Sequence, residues 1–192
     1  MSMFREHYIG GLVAYSVFFG VSLAASLIGN LAFHRPIDWN PTISLDPWKV
    51  GGCFVLAVLS GLWPDVDIKS KSQQIFYRIF LAFNTVLILR EHYIESAFLG
   101  LFAMLPLIGK HRGWTHSRLT MLLLPTPFLI LSIYFQRDGF EPRHFLSQQN
   151  LGQVRIGLPF YTASLIGYAT HLHLDGILLQ FRKMQRRKAS PG

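Results

Sequence analysis

The strongest constraint on the fold is a stretch from Ile9 to Phe33 that contains no Asp, Glu, Lys or Arg. About 25 residues in helical conformation can cross the roughly 30 Å hydrocarbon core of a bilayer, because each residue adds about 1.5 Å. The stretch is also longer than the apolar part of a signal peptide, which is usually about 7–15 residues. We therefore interpret it as a retained transmembrane helix.

The composition agrees with a protein surrounded by lipid. Of the 192 residues, 51% are hydrophobic and only 15% are charged, whereas soluble domains average about 25% charged residues. A net charge of +8 would suggest nucleic-acid binding in a soluble protein. Here the basic residues lie between apolar stretches and in one C-terminal cluster, so we expect them to orient the chain in a membrane, with no nucleic-acid partner. The single cysteine, Cys53, excludes an intrachain disulfide and a cysteine-based zinc site.

Further apolar stretches predict an all-α, polytopic membrane bundle of about four to six transmembrane helices. They are Val50–Pro64, Ile79–Leu89, Ser96–Gly109, Leu119–Gln136 and Ile156–Leu174, the last continuing as a helix past Asp175 to about Gln180. The two shortest, Ile79–Leu89 and Ser96–Gly109, can be short transmembrane helices or a re-entrant or core-packed pair. Residues 1–181 are then a single membrane-embedded domain, and the basic tail 182–192 is expected to be disordered.

The Lys and Arg residues of short loops indicate which side of the membrane each segment faces, because they favour the cytoplasm. The C-terminal tail is rich in them from Arg182 to Lys188, so we expect the C-terminus in the cytoplasm. Counting the helices back along the chain places the N-terminus there too. All the polar motifs described below then fall at the same cytoplasmic face.

Near the end of the chain, His171 and Asp175 are four residues apart and would share one face of a helix. An imidazole nitrogen and a carboxylate oxygen on one face can bind the same metal ion. An ionisable residue inside or beside a membrane segment indicates a functional site by default. The alternative is a simple hydrogen bond between the two side chains at the helix end.

A second acidic pair, Asp65 and Asp67, follows Pro64. Proline disfavours a helical conformation in the residue before it, so we expect Trp63 and the residues that follow to be extended. In an extended stretch, carboxylates two residues apart point to the same side and repel each other unless a cation or proton lies between them. The alternative is a solvated turn.

The most polar stretch between apolar segments runs from His111 to Ser117. Either His111 or His116 could bind a metal, and Arg112 could contact an anionic substrate oxygen. Arg112 could equally be a positive anchor at the cytoplasmic face, and Ser117 is predicted to cap the helix that follows. His7, which precedes the first helix, is a weak signal by itself.

Taken together, these motifs resemble the YdjM-like family of LexA-regulated, metal-dependent hydrolases of the bacterial inner membrane. The matching motifs are His7-x-x-x-Gly11, Gly61-Leu62-Trp63-Pro64-Asp65-Val66-Asp67, His111-Arg112-Gly113-Trp114-Thr115-His116-Ser117 and Gly167-Tyr168-Ala169-Thr170-His171-Leu172-His173-Leu174-Asp175. The family is distantly similar to zinc-dependent phospholipase C and the P1-type nucleases, whose helical sites bind several metal ions through His and Asp. The resemblance therefore implies a multi-pass inner-membrane protein with a metal site.

The resemblance also implies roles for individual residues. Asp67 would be a metal ligand or the base that orients water. His111 would be a ligand or would support one. Apart from the resemblance, a hydrolase function would assign the binding of an anionic substrate to Arg112. The family usually has a histidine directly after the second aspartate, where this chain has Ile68. The implied metal ligands are His7, Asp65, His116, His171 and Asp175.

The function expected from these observations is hydrolysis of a phosphoester, with a lipid head group among the candidate substrates and membrane lipid as the partner. The expected cofactor is a divalent metal, Zn first, with Mn or Fe as alternatives. Two other functions also fit the sequence. A metal carrier or sensor would need polar residues along its membrane helices, and a non-catalytic membrane scaffold would hold a structural metal or none.

Overall fold

The computed structural model describes residues 2–67, 70–107, 114–134 and 148–178. Within these ranges every regular element is a helix, which confirms the all-α prediction. The α-helices are α1 (Ser2–Phe33), α2 (Pro47–Leu62), α3 (Lys71–Leu89), α4 (Tyr93–Met104), α5 (Arg118–Leu123), α6 (Pro127–Tyr134) and α7 (Gln148–Leu174). Short 3₁₀ helices cover Trp63–Asp67, Leu105–Leu107 and Trp114–His116. The predicted tail, 182–192, lies outside the described residues.

Two segments in the described ranges are long and apolar enough to cross a membrane, Arg5–Phe33 and Pro47–Val66. Helix α1 is apolar, and no other described residue covers much of its outer face: the residues Val13, Val17 and Val21 are 54%, 61% and 65% exposed. Large exposed apolar patches are rare on proteins that face only water, whereas lipid covers such a surface at no cost. The two segments support a membrane protein, and the total of four to six transmembrane helices stays a prediction.

Helices α1, α2 and α7 pack against one another through small residues. A Cβ atom placed on Gly167 of α7 would lie 1.9 Å from the carbonyl oxygen of Ala57 on α2. A Cβ atom on Gly11 of α1 would lie 3.1 Å from the same oxygen. Membrane helices associate through such close backbone contact because lipid supplies no hydrophobic driving force between them. The contact also brings together the ends of the three helices that carry polar motifs.

The end of α2 differs from the sequence prediction. Trp63 is helical, with φ −57° and ψ −45°, and the chain continues as the 3₁₀ helix Trp63–Asp67. The prediction of an extended stretch after α2 is therefore wrong, because a 3₁₀ helix is compact, with about three residues per turn. The Trp63 ring is buried against aromatic neighbours. That burial outweighs the preference that Pro64 imposes on the residue before it.

Helix α7 also ends earlier than predicted, one residue before Asp175. Gly176 adopts a left-handed conformation with φ 72°, and the Ile177 N–H donates to the Leu172 carbonyl at 2.9 Å. This is the hydrogen-bond pattern of a Schellman C-cap, in which glycine is favoured because it has no Cβ atom. The predicted continuation of the helix is wrong for the described residues, and Asp175 is the residue at which the chain leaves the helix.

Helices α3 and α4 pack against each other as a hairpin. α3 begins at Lys71 rather than at the predicted Ile79, because Ser70 caps it by accepting a hydrogen bond from the Gln73 N–H at 3.1 Å. The apolar stretch therefore marked only the less polar half of this helix. Entry of this hairpin into the membrane stays a prediction.

Two further predicted helices differ from those in the structure. α7 begins at Gln148, before the predicted Ile156, since an uncharged stretch marks only the apolar part of a helix. The predicted helix Leu119–Gln136 is divided into α5 and α6 by a turn that contains Pro125. Proline lacks the N–H that a continuous helix needs at that position.

Candidate metal centre

Five side chains that can bind a metal ion converge at one end of the group formed by α1, α2 and α7. They are carried by α1, by the 3₁₀ helix after α2, by the 3₁₀ helix before α5 and by the end of α7. Their ligand atoms form two overlapping sets, and within each set all atoms lie within 4.8 Å of one another. The sets are His7, His171 and Asp175, and Asp65, His116 and His171.

His171 belongs to both sets and is fully buried. Its Nδ1 atom lies 2.7 Å from the Gly61 carbonyl oxygen. A carbonyl can only accept, so Nδ1 carries the proton and Nε2 keeps its lone pair when the ring is neutral. This Nε2 atom has no hydrogen-bond partner among the described residues, although an Asp175 oxygen lies at 3.3 Å and an Asp65 oxygen at 3.8 Å. A ring fixed by a backbone carbonyl on its far side is the usual arrangement of a metal-binding histidine.

Both carboxylates stand where helices end. Asp65 lies in the 3₁₀ turn after α2, and Asp175 is the C-cap of α7. The C-terminal end of a helix carries partial negative charge, which disfavours a carboxylate there by about 0.3–1 kcal/mol and favours a positive charge nearby. The side chains of Asp65 and Asp175 are 21% and 27% exposed, which makes them the open side of the cluster.

His116 adds a further imidazole, and its ring centroid lies 5.5 Å from that of His171. Its Nε2 atom lies 3.5 Å from an Asp175 oxygen and 3.9 Å from an Asp65 oxygen. Its Nδ1 atom lies 3.1 Å from the Thr115 hydroxyl. His116 therefore also directs one nitrogen toward the two carboxylates while the other is engaged by the protein.

The short segment that carries His116 is fixed by hydrogen bonds within its own part of the chain and by others to α7 and the residues after it. Ser117 caps α5, as predicted, by accepting a hydrogen bond from the Thr120 N–H at 3.0 Å. The Tyr168 hydroxyl, on α7, donates to the Thr115 carbonyl. Arg118 donates through Nη2 to carbonyls of the segment that follows α7, at 2.6 Å for the closer one. The segment is thus attached to the helix that carries His171.

His7 approaches from α1 and is 3% exposed. Its ring stacks on that of His171, with the two ring centroids 3.9 Å apart. Its Nε2 atom lies 3.5 Å from an Asp175 oxygen, and its Nδ1 atom is buried without a hydrogen-bond partner among the described residues. His7 can therefore serve as a ligand or orient Asp175.

The nitrogen–oxygen distances among these donors are close to those between ligands that share one ion. Two ligand atoms that each lie about 2.1 Å from zinc, at a tetrahedral angle, are about 3.4 Å apart. The nitrogen–oxygen distances in the cluster run from 3.3 Å, between His171 and Asp175, to 3.9 Å, between His116 and Asp65. The donor set of imidazoles and carboxylates suits Zn, Mn or Fe.

Three of the residues predicted for the site are not placed by the structure. His111 and Arg112 lie outside the described residues, as does the side chain of Asp67. Conversely, the sequence reasoning missed the supporting roles of the Gly61 carbonyl and the Tyr168 hydroxyl. Both lie inside the motifs, but nothing in the sequence indicates that the Gly61 carbonyl contacts His171 or that the Tyr168 hydroxyl contacts the Thr115 carbonyl.

Comparison with known proteins identifies the family. A family model described as YdjM inner membrane protein matches residues 17–180. The chain belongs to the YdjM inner membrane protein family. Family membership agrees with the two apolar segments, and it confirms the resemblance based on the motifs. Within this YdjM-family chain, Asp65, His116, His171 and Asp175 lie in the matched range, and His7 precedes it. No curated protein and no solved structure matches the chain, and the similarity to phospholipase C and P1-type nucleases stays a prediction.

Proposed function

We propose that the chain is a membrane-bound, metal-dependent hydrolase that acts on a phosphoester where the membrane meets the cytoplasm. One observation carries the proposal: the His171 Nε2 atom is buried, has no hydrogen-bond partner among the described residues and lies 3.3 Å from an Asp175 oxygen. Since the other ring nitrogen donates to a carbonyl, this lone pair and two carboxylates face one another. A divalent cation between them would satisfy all three groups.

The exposure of the cluster favours a catalytic metal over a structural one. Structural zinc sites are closed by four protein ligands, whereas catalytic sites keep one position for water or substrate. Imidazoles close the helix side here, and the partly exposed Asp65 and Asp175 face outward. A phosphoester could approach the site from that side.

Each residue would have a defined task in this proposal. When bound, a divalent metal supplies Lewis acidity that activates water and polarises a phosphoryl oxygen. His171 and His116 would hold the metal on the buried side, and Asp65 and Asp175 on the open side. As expected from the sequence, Asp67 would align water and Arg112 would bind anionic oxygens.

The position of the cluster along the helices supports a substrate at the membrane surface. Trp48, in the first turn of α2, is 91% exposed, as is typical of an aromatic residue at a membrane–water boundary. Asp65 follows it along α2 and the 3₁₀ turn by about 27 Å, given rises of about 1.5 and 2.0 Å per residue. That distance is close to the hydrocarbon thickness of about 30 Å. The cluster would thus lie at the opposite boundary, where phosphates of lipid head groups are found.

Elemental analysis of the full chain, purified in detergent, tests the metal. We expect bound divalent metal in the wild type and its loss in His171→Ala. His173→Ala is the matched control, because His173 lies two residues further along the same helix and is exposed. Equal metal content in the three proteins would contradict the proposal.

Hydrolysis of a chromogenic phosphomonoester, a chromogenic phosphodiester and phospholipid vesicles, with Zn²⁺ or Mn²⁺ added, tests the reaction. We expect cleavage of at least one substrate by the wild type and its loss in His116→Ala. His92→Ala is the control, since His92 pairs with Glu95 at 3.5 Å in the α3–α4 hairpin. Metal-loaded wild type that cleaves none of the three would refute hydrolysis and leave a scaffold or carrier.

A further inference from the structure

We propose that Tyr168 is a positioning residue that sets the direction of His116 toward the carboxylates. The inference rests on the proposed metal centre and assigns to it a residue that makes no contact with the ion. Tyr168 lies on α7, one turn before His171, and its hydroxyl donates to the Thr115 carbonyl. One helix would therefore carry one histidine of the site and fix the position of another.

The Tyr168 ring is held rigidly enough to perform this task. It is fully buried in a core cluster with Trp63, Val66 and Leu172. Two of these neighbours, Trp63 and Val66, flank Asp65 in the 3₁₀ turn. Because a packed aromatic ring has few alternative rotamers, the position of its hydroxyl is set by the same contacts that place Asp65.

The acceptor of this hydrogen bond is the peptide group directly before His116. Thr115 is buried, with 1% of its surface exposed. A buried carbonyl that loses its donor is costly, so its peptide would turn to reach another donor or water. Thr115 and His116 share that peptide bond, and the Thr115 hydroxyl also lies 3.1 Å from His116 Nδ1. A turn of this peptide would rotate His116 away from Asp65 and Asp175.

The chain offers a matched control for removing the hydroxyl. Tyr161 lies two turns earlier on α7, and its hydroxyl also donates to a backbone carbonyl, that of Leu122, at 3.3 Å. This second hydrogen bond is exposed and attaches α7 to a part of α5 that carries no candidate ligand. Tyr168→Phe and Tyr161→Phe thus remove the same group from the same helix at different distances from the site.

The first measurement is titration of the full-length, detergent-purified protein with Co²⁺, whose visible absorption reports the geometry of its ligands. Loss of a partner that orients a metal ligand typically weakens metal binding by about 10- to 100-fold. We expect a loss in that range and an altered absorption spectrum for Tyr168→Phe. Tyr161→Phe should match the wild type in both. A merely structural role would lower the unfolding temperature without changing the spectrum of the folded protein.

The second measurement needs no metal and separates this inference from the proposed function. Diethyl pyrocarbonate modifies accessible imidazoles, and mass spectrometry locates the modified residue. In the metal-free protein we expect His116 to be modified faster in Tyr168→Phe than in Tyr161→Phe or the wild type.

The possible results are distinct. Unchanged modification of His116, or Co²⁺ binding by Tyr168→Phe that matches the wild type in affinity and spectrum, would overturn the role of Tyr168 and leave the metal centre standing. If the wild type binds no Co²⁺ while His116 is modified faster in Tyr168→Phe, the metal centre is refuted and the control of His116 by Tyr168 is supported.

Discussion

Replacing Gly167 by alanine should separate α2 from α7 and disable the proposed metal centre without touching any candidate ligand. The new Cβ atom would lie 1.9 Å from the Ala57 carbonyl oxygen, and 2.8 Å and 3.0 Å from the carbonyl carbon and the Cα atom of the same residue. Close carbon–oxygen contacts in proteins are about 3.3 Å or longer. The two helices would therefore have to move apart locally by about 1.4 Å, because a Cβ atom is fixed to its own backbone and the Ala57 carbonyl is backbone.

The displacement falls one turn away from the site on both helices. His171 is four residues after Gly167, and Gly61 is four residues after Ala57. The hydrogen bond that orients His171, now 2.7 Å long, would stretch to about 4 Å and be lost. Metal–ligand distances tolerate only about 0.2 Å, so the His171 ring could not keep its place.

The magnitudes then decide between two opposing effects. Overpacking a tight contact costs about 1–3 kcal/mol, and losing the hydrogen bond costs about 1 kcal/mol. Alanine in place of glycine gains about 1 kcal/mol of helix propensity. We expect Gly167→Ala to lower the free energy of unfolding by about 1–3 kcal/mol and to weaken metal binding at least about tenfold.

Thermal unfolding in detergent, followed by circular dichroism, measures the loss of stability. Zinc titration against a chelator measures the loss of metal affinity. Two controls form a graded series with the mutant. Gly152→Ala, also on α7, places its Cβ atom in open space and should be neutral or stabilising. Gly11→Ala places its Cβ atom 3.1 Å from the Ala57 oxygen and should have an intermediate effect. If Gly167→Ala matches Gly152→Ala in both stability and zinc affinity, the close contact does not hold the site together.

Three other predictions concern the same region. Ser60→Ala should destabilise the protein by about 1–3 kcal/mol, because it leaves the buried Ser164 hydroxyl without its partner at 2.6 Å. The double variant Ser60→Ala/Ser164→Ala should recover most of this loss in thermal unfolding; no recovery would show that the two hydroxyls do not stabilise each other. Gly176→Ala should cost about 1–2 kcal/mol because its φ of 72° is strained for alanine, and unchanged unfolding would show that the turn relaxes freely. Zinc affinity should fall as the pH is lowered, because protons compete for imidazole ligands; a pH-independent affinity would refute ligation by histidine.

The local parts of the candidate site were the most predictable. The spacing of His171 and Asp175 placed them on the same side of α7, and they lie 3.3 Å apart. Ser117 was expected to cap α5 and does so. Both relations depend on residues within one turn of each other, where helix geometry leaves little choice.

The conformation of Asp65 was not predictable in the same way. The preference of the residue before Pro64 indicated an extended chain, but Trp63 and the residues after it form a 3₁₀ helix. The deciding contacts are with Phe76 and Phe102, which follow later in the sequence. A local preference is weak compared with the burial of a large aromatic ring.

By itself, the sequence determined that the described parts of the chain are helical, that the chain contains segments apolar enough for a membrane, and which side chains were available to bind a metal. These properties depend on residue type and short spacings. Only the tertiary structure decided which donors meet and how they are oriented, because those contacts join distant residues. The carbonyl of Gly61 that orients His171 is 110 residues away from it, and a backbone contact at Gly167, where no side chain intervenes, allows the two helices to come that close.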